Sequence, residues 1–251
     1  MRYKTDKARA REKRGTGTGV EYKPWIRTGE FGSLGTTATP IDWITGRQVH
    51  LLSQSEQLAW YILRFDEENI DIREQFDLDL TKTLALSEQL GIQHPRSPKT
   101  KDPIVMTTDL LVTRSTGKLI AFSVKDQIPD PKSKKKKDRR VIEKLNLEKA
   151  YWDSEGVEYF IIIGRHLNRV FAHNIRLVTT YYNLPDYELD DIGYLKHLIA
   201  RHLITVDMET EILDFATLAE NYRKEVTLCR NTHLESVMCY LPLTKRGELL
   251  P

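Results

Sequence analysis

The chain has 251 residues, 40% of them hydrophobic and 29% charged, and a formal net charge of +2; this is one large globular domain or two modest ones, too apolar for wholesale disorder. Its longest strongly apolar run, 159–163, is far short of the roughly 20 residues of a membrane span, and the charged start, 1–14, lacks the apolar stretch of a secretory signal. Two cysteines, Cys229 and Cys239, make neither a disulfide framework nor an all-cysteine zinc site, so a membrane protein, a secreted mini-domain and a cysteine-rich metal module are set aside and a cytoplasmic location is expected.

In chain order, residues 1–50 show no sustained periodicity and are rich in glycine, which predicts an extended arm, partly wrapped on the body and partly mobile. A helix is expected over 53–67, where Leu58, Ala59, Ile62, Leu63 and Phe65 share a face and Ser53 with Glu56 fits a capping box. Residues 70–78 alternate as a half-buried strand: Ile70, Ile72, Phe76 and Leu78 lie on one side, with Glu74 as the exception. A short helix and a proline-containing loop fill 81–103. Strands at 107–114 and 118–125 flank the turn Ser115-Thr116-Gly117-Lys118, whose glycine supplies the positive φ of a hairpin.

A lysine-rich loop follows, then a helix over 140–154. Residues 157–163 read as a near-continuous apolar strand, buried on both faces, and 168–172 as a further short strand. Beyond about 173 the texture becomes helical, with amphipathic segments at 187–204 and 210–224 and short elements over 233–250. The expected division is an arm (1–50), an α/β body (51–173) and a smaller, mainly helical domain (174–251).

Charge is unevenly placed. Residues 1–14 carry seven basic side chains against two acidic ones. Residues 132–140 also carry seven basic ones, among them Lys134, Lys135, Lys136, Lys137, Arg139 and Arg140, against Asp138 alone; the rest of the chain is net acidic. Two basic segments on an acidic body point to a polyanion held through its phosphates.

Three polar residues stand on the central elements. Glu56 opens the first helix, Asp109 opens a strand of Leu110, Leu111 and Val112, and Lys125 closes the next strand. The hairpin brings Asp109 and Lys125 to the same end of adjacent strands. Acids there supply hard oxygen ligands for Mg²⁺, and a lysine stabilises charge or orients water, which are the parts that phosphodiester hydrolysis needs. This order has the shape of a restriction-endonuclease-like core. Each residue also has a plainer reading, as a capping acid or as a strand-end ion pair.

The flanking segments sharpen the likeness. "HLLSQSEQLAWYILRFDEENIDIREQFDL", "VMTTDLLV", "LIAFSVK" and "VIEKLNLEKAYW" occur in that order, with "YKPW" at 22–25 before them. The chain resembles the TnsA family, the endonuclease subunits of heteromeric cut-and-paste transposons. The resemblance implies Glu56, Asp109 and Lys125 as catalytic residues, with Glu56, Asp109, Ser123 and Glu148 around Mg²⁺ (or Mn²⁺). Ser123 departs from the pattern, standing where a glutamine or an acid is usual as a ligand.

The same resemblance implies 5′-strand cleavage at transposon ends and partnership with the RNase H-like transposase TnsB. It also implies a winged-helix-like C-terminal domain that contacts the AAA+ ATPase TnsC, and a place at the bacterial nucleoid. Two other readings stay open at this point: an independent nuclease of restriction or repair type, and a non-catalytic assembly protein bridging transposase, ATPase and DNA.

Overall fold

The structure, a computed structural model, describes residues 5–30 and 36–240, with side chains to residue 234. The chain forms two compact units that divide between Leu167 and Asn168.

The first unit is built on a four-stranded mixed sheet in the order β1-β2-β3-β4: β1 (Asn69–Asp77), β2 (Thr107–Arg114), β3 (Leu119–Lys125) and β4 (Glu158–Ile163). β1, β2 and β3 are successively antiparallel, and β4 runs parallel to β3. A parallel neighbour requires a long crossover, and the helix α4 (Lys136–Ser154) supplies it. The β2–β3 hairpin forms as expected, with Gly117 at φ +82 and its N–H bonded to the Arg114 carbonyl. Three further helices belong to this unit: α1 (Asp6–Arg11), α2 (Gln54–Phe65) and α3 (Leu80–Gln89).

The core joins Leu78, Leu111, Ala121, Tyr151 and Trp152, with Leu86 of α3 and Phe76 packed against it. By strand alternation Ile72, Leu110 and Val112 lie on the opposite face, and they are also buried, so both faces are covered. α2 packs on β1 and β3. The tryptophans behave as core residues: Trp25, Trp60 and Trp152 are buried, and Trp43 meets the rings of Trp60 and Tyr61.

The arm is more ordered than its composition suggests. Arg47 binds both carboxylate oxygens of Glu74 at 2.7 Å. Tyr22 donates its hydroxyl to the Glu74 carbonyl, and Arg64 pairs with Asp42 at 2.8 Å. Arg9 and Arg14 both reach Glu30. The odd Glu74 in the apolar face of β1 is therefore the buried anchor of the arm.

Several expectations need correction. β4 is an edge strand, with Phe160 half exposed, and is not buried on both faces; an apolar run does not distinguish centre from edge. The helix α4 starts at Lys136 and takes in most of the basic run expected as loop. Residues 168–172 are no strand: Asn168 caps α5 (Arg169–Thr179), accepting the Phe171 N–H. Its apolar residues Phe171, Ala172, Ile175 and Val178 follow the helical period.

The second unit contains α5, α6 (Asp191–Ala200), α7 (Phe215–Asn221) and α8 (Arg223–Tyr240). The helices α6 and α7 are shorter than their periodic segments, because Asp190 and Asp214 cap them late. The elements expected over 233–250 are replaced by α8 as far as residue 240; the remainder lies outside the described residues. Among the described residues this unit contains no strand, so it does not include the β-ribbon of a winged helix. No helix among the described residues is long and apolar enough to cross a membrane.

Candidate active site

The hairpin register pairs Leu110 with Phe122 and Leu111 with Ala121. Asp109 and Lys125 therefore meet where the two strands end. Lys125 Nζ lies 2.7 Å from Asp109 Oδ2, which also accepts the Val124 N–H at 2.6 Å. Burial works against the Lys125 charge, but the Asp109 carboxylate outweighs it, aided by Glu148 and Glu56, and the pKa is held above the ordinary lysine value. This lysine remains an ammonium.

Glu56 enters from the first turn of α2. Its N–H is capped by Ser53 Oγ, and its Oε1 accepts the Ser53 hydroxyl at 3.0 Å. Its Oε2 accepts the Leu52 N–H at 2.9 Å and Gln75 Nε2 at 3.2 Å. The capping and site readings are thus compatible: the cap fixes the carboxylate in place. Burial, then repulsion from Asp109, pushes the Glu56 pKa up to about 7, against the Leu52 and Ser53 hydrogen bonds and the Lys125 charge.

Glu148 comes from the middle of α4 and is buried. Thr108 Oγ1 donates to its Oε1 at 2.8 Å and Ser123 Oγ to its Oε2 at 2.7 Å. Trp152 Nε1 in turn holds Thr108 at 2.7 Å. Burial, then Asp109, raises the Glu148 pKa to about 7. The Tyr159 hydroxyl also belongs to this neighbourhood, since burial and then Glu148 raise its pKa. Ser123, expected among the ligands, has its hydroxyl proton directed at Glu148.

Sequence reasoning missed Gln75, Thr108 and Tyr159. Gln75 and Thr108 act through hydrogen bonds to Glu56 and Glu148, 19 and 40 positions distant, and Tyr159 is tied to the site electrostatically, through Glu148; none has a local pattern that marks it. The basic run stands differently. Lys134, Lys135, Lys136, Lys137 and Arg139 are exposed on and just before the first turn of α4, and Arg140 pairs with Glu143 at 2.9 Å. Arg140, Lys144 and Glu148 recur at four-residue spacing, which aligns them along one side of the helix. The Lys144 pKa is lowered by burial and by the Arg140 and Lys125 charges, so cations continue from the basic run to the site.

Three carboxyl groups electrostatically joined to a single lysine make a cluster of hard oxygens. That donor chemistry fits Mg²⁺. Among the described residues no group of three or more His, Cys, Asp or Glu side chains stands at ligating spacing, and Mg²⁺ is usually held by one or two carboxylates, with water and substrate phosphate completing the sphere.

The raised carboxylates also set a pH dependence. A carboxyl group with a folded pKa of about 7 and an unfolded one near 4.5 keeps its proton in the native state over a range where the unfolded chain has lost it. Stability of the metal-free chain is therefore expected to fall as pH rises from about 4.5 to about 7 and to level off above. Denaturant midpoints across pH 4.5–8 measure this, and a midpoint that rises over that window contradicts it.

Comparison with known proteins follows the same lines. The family model for the TnsA-like endonuclease N-terminal domain matches residues 66–164. That stretch includes Gln75, Asp109, Ser123, Lys125, Glu148 and Tyr159, while Glu56 lies ahead of it. The chain is also 34% identical, over 167 residues, to the Transposon Tn7 transposition protein TnsA of Escherichia coli. The match covers 66% of this chain and 59% of that protein.

Proposed function

We propose that this chain, whose residues 66–164 match the family model for the TnsA-like endonuclease N-terminal domain, is a Mg²⁺-dependent DNA endonuclease that cuts the 5′ strands at transposon ends as part of a heteromeric transposase. The observation that carries this reading is the Asp109–Lys125 pair at 2.7 Å, with Glu56 and Glu148 electrostatically tied to the same Asp109. Glu56 and Asp109 are the residues that would hold the ion, with Glu148 beside them and Ser123 acting through Glu148. When bound, Mg²⁺ (or Mn²⁺) would polarise the phosphorus centre and acidify the attacking water. Lys125, kept protonated by its neighbours, stabilises the charge that builds on the phosphate oxygens.

The exposed cations at the start of α4 repel one another and the positive end of the helix dipole. A DNA backbone relieves both strains, and Lys134, Lys135, Lys136, Lys137, Arg139 and Arg140 are assigned to it. Changing Lys134, Lys135, Lys136 and Lys137 together to glutamine is expected to weaken DNA binding and flatten its salt dependence, by about 0.9 in the log–log slope for each phosphate no longer neutralised. Binding measured from about 50 to 200 mM salt reads both effects, and an unchanged slope removes the assignment.

By the same family likeness the second unit, helical among the described residues, docks an AAA+ ATPase of the TnsC kind, and the partner transposase is of the TnsB kind. The support for this docking role is a compact helical unit separate from the unit that carries the carboxylates. The deciding experiment uses strand-labelled transposon-end DNA with Mg²⁺ and compares this chain, the partner transposase and the two together. A 5′-strand cut that requires both proteins is expected. A cut by this chain alone makes it an independent nuclease. No 5′ cut beside an intact 3′ cut makes it an assembly protein.

A further inference from the structure

Gln75 is 2% exposed and adopts φ +48, a left-handed backbone that residues other than glycine occupy at a cost. It stands within β1 between Glu74, which pairs with Leu110, and Phe76, which pairs with Thr108; its place in the ladder is opposite Asp109. The left-handed residue interrupts the alternation of the strand, so Glu74 and Gln75 are buried in succession. Each polar end of Gln75 then finds a partner. Nε2 donates to Glu56 Oε2 at 3.2 Å, Oε1 accepts the Thr107 hydroxyl at 3.2 Å, and the main-chain carbonyl accepts the Trp25 N–H at 3.2 Å.

The consequence falls on Glu56. Its Oε2 takes two donors, Leu52 N–H and Gln75 Nε2, while its Oε1 takes one, from Ser53. A carboxylate oxygen has two lone-pair directions. Oε2 is therefore filled by the protein, and Oε1 keeps a direction open for a cation.

We propose that Gln75 is a positioning residue that fixes which oxygen of Glu56 faces the metal, and that its hydrogen bond with Trp25 couples this choice to the docked arm. A buried glutamine with satisfied polar groups is often only structural. Here the strained backbone argues otherwise: glycine suits that φ better, and what glutamine adds is an amide that joins Glu56 to Thr107. Strain of this kind concentrates where a side chain must be aimed. Groups that orient a ligating side chain change metal affinity by about 10–100-fold when removed.

The inference rests on the nuclease reading above, and its test separates the two. Mn²⁺ alone is titrated into the full chain by calorimetry, with wild type, Gln75→Gly and Gln75→Leu. Glycine relieves the backbone and leucine fills the volume, so at least one variant is expected to unfold at the wild-type temperature. The expected result in that variant is Mn²⁺ affinity about tenfold weaker. In a Glu56→Gln background the same change is expected to have no further effect, which a merely structural role would not produce. Wild-type affinity in the folded Gln75 variants, or an equal additional loss in the Glu56→Gln background, overturns the inference and leaves the nuclease reading standing. A wild-type chain that binds no Mn²⁺ and cuts no DNA in the assembled transposase overturns both.

Discussion

Asp109→Asn is expected to abolish 5′-strand cleavage, by about a thousandfold or more, and to leave the fold intact. The carboxylate of Asp109 holds Lys125, accepts the Val124 N–H and raises the pKa of both Glu56 and Glu148. Asparagine keeps an oxygen for Val124 but removes the charge that a cation and Lys125 share. Losing several kcal/mol of transition-state stabilisation at such a centre corresponds to about three orders of magnitude in rate.

The same variant has an equilibrium readout. With the central negative charge gone, both glutamates are expected to titrate below about 7, since burial remains and the Asp109 repulsion does not. Carboxyl-carbon NMR shifts followed through pH 4–8 measure this. Full cleavage by Asp109→Asn sinks the catalytic assignment, and unchanged titrations show that the three acids are not electrically joined.

The largest loss of stability is expected far from the chemistry, at Arg47→Ala. Glu74 is fully buried, and its carboxylate is held by both Arg47 nitrogens and the His50 N–H. Burial already raises its pKa despite these partners. Removing the guanidinium leaves a buried charge unpaired, which costs about 3–5 kcal/mol. The loss has a definite pH sign. Without Arg47 the folded pKa of Glu74 rises further above its unfolded value. The penalty is then full at high pH and shrinks as pH falls and the group protonates. Denaturant unfolding at pH 8 and pH 5 tests both points. Replacing the pair together, Arg47→Met with Glu74→Leu, is expected to recover most of the loss, because apolar residues leave nothing unpaired. A loss under about 1 kcal/mol at pH 8 rules the anchor out.

What the sequence made legible was local. The β2–β3 hairpin followed from Gly117 and two short apolar runs, and with it came the meeting of Asp109 and Lys125. The capping box told where α2 begins, and hence where Glu56 lies. The errors arose where a short window carries two meanings. Residues 168–172 alternate weakly, but Asn168 and the apolar residues out to Val178 make a helix that only a longer window displays. The basic residues that open α4 resemble a solvated loop because nothing local shows that they start a helix.

The remainder depended on long-range pairing. Glu74 looked like a fault in an apolar face until Arg47 was seen to meet it. Gln75 carries no mark in the sequence, since its importance lies in a backbone angle and in Glu56, nineteen positions earlier. Ser123 looked like a weakened ligand, and Glu148 explains it as a hydroxyl that holds an acid.

The anchored arm has a consequence for where this protein can be divided. The stretch shared with its relatives in the family match begins at residue 66, yet the anchors of the first unit lie well before it, at Tyr22, Trp25, Asp42 and Arg47. A fragment cut to the shared stretch would lose Glu56 and strip the partners from Glu74. The stretch that the family model matches is smaller than the unit that holds together by physics. A chimera or shortened form made from this chain has to inherit the leading segment whole, as part of the first unit rather than as a dispensable extension.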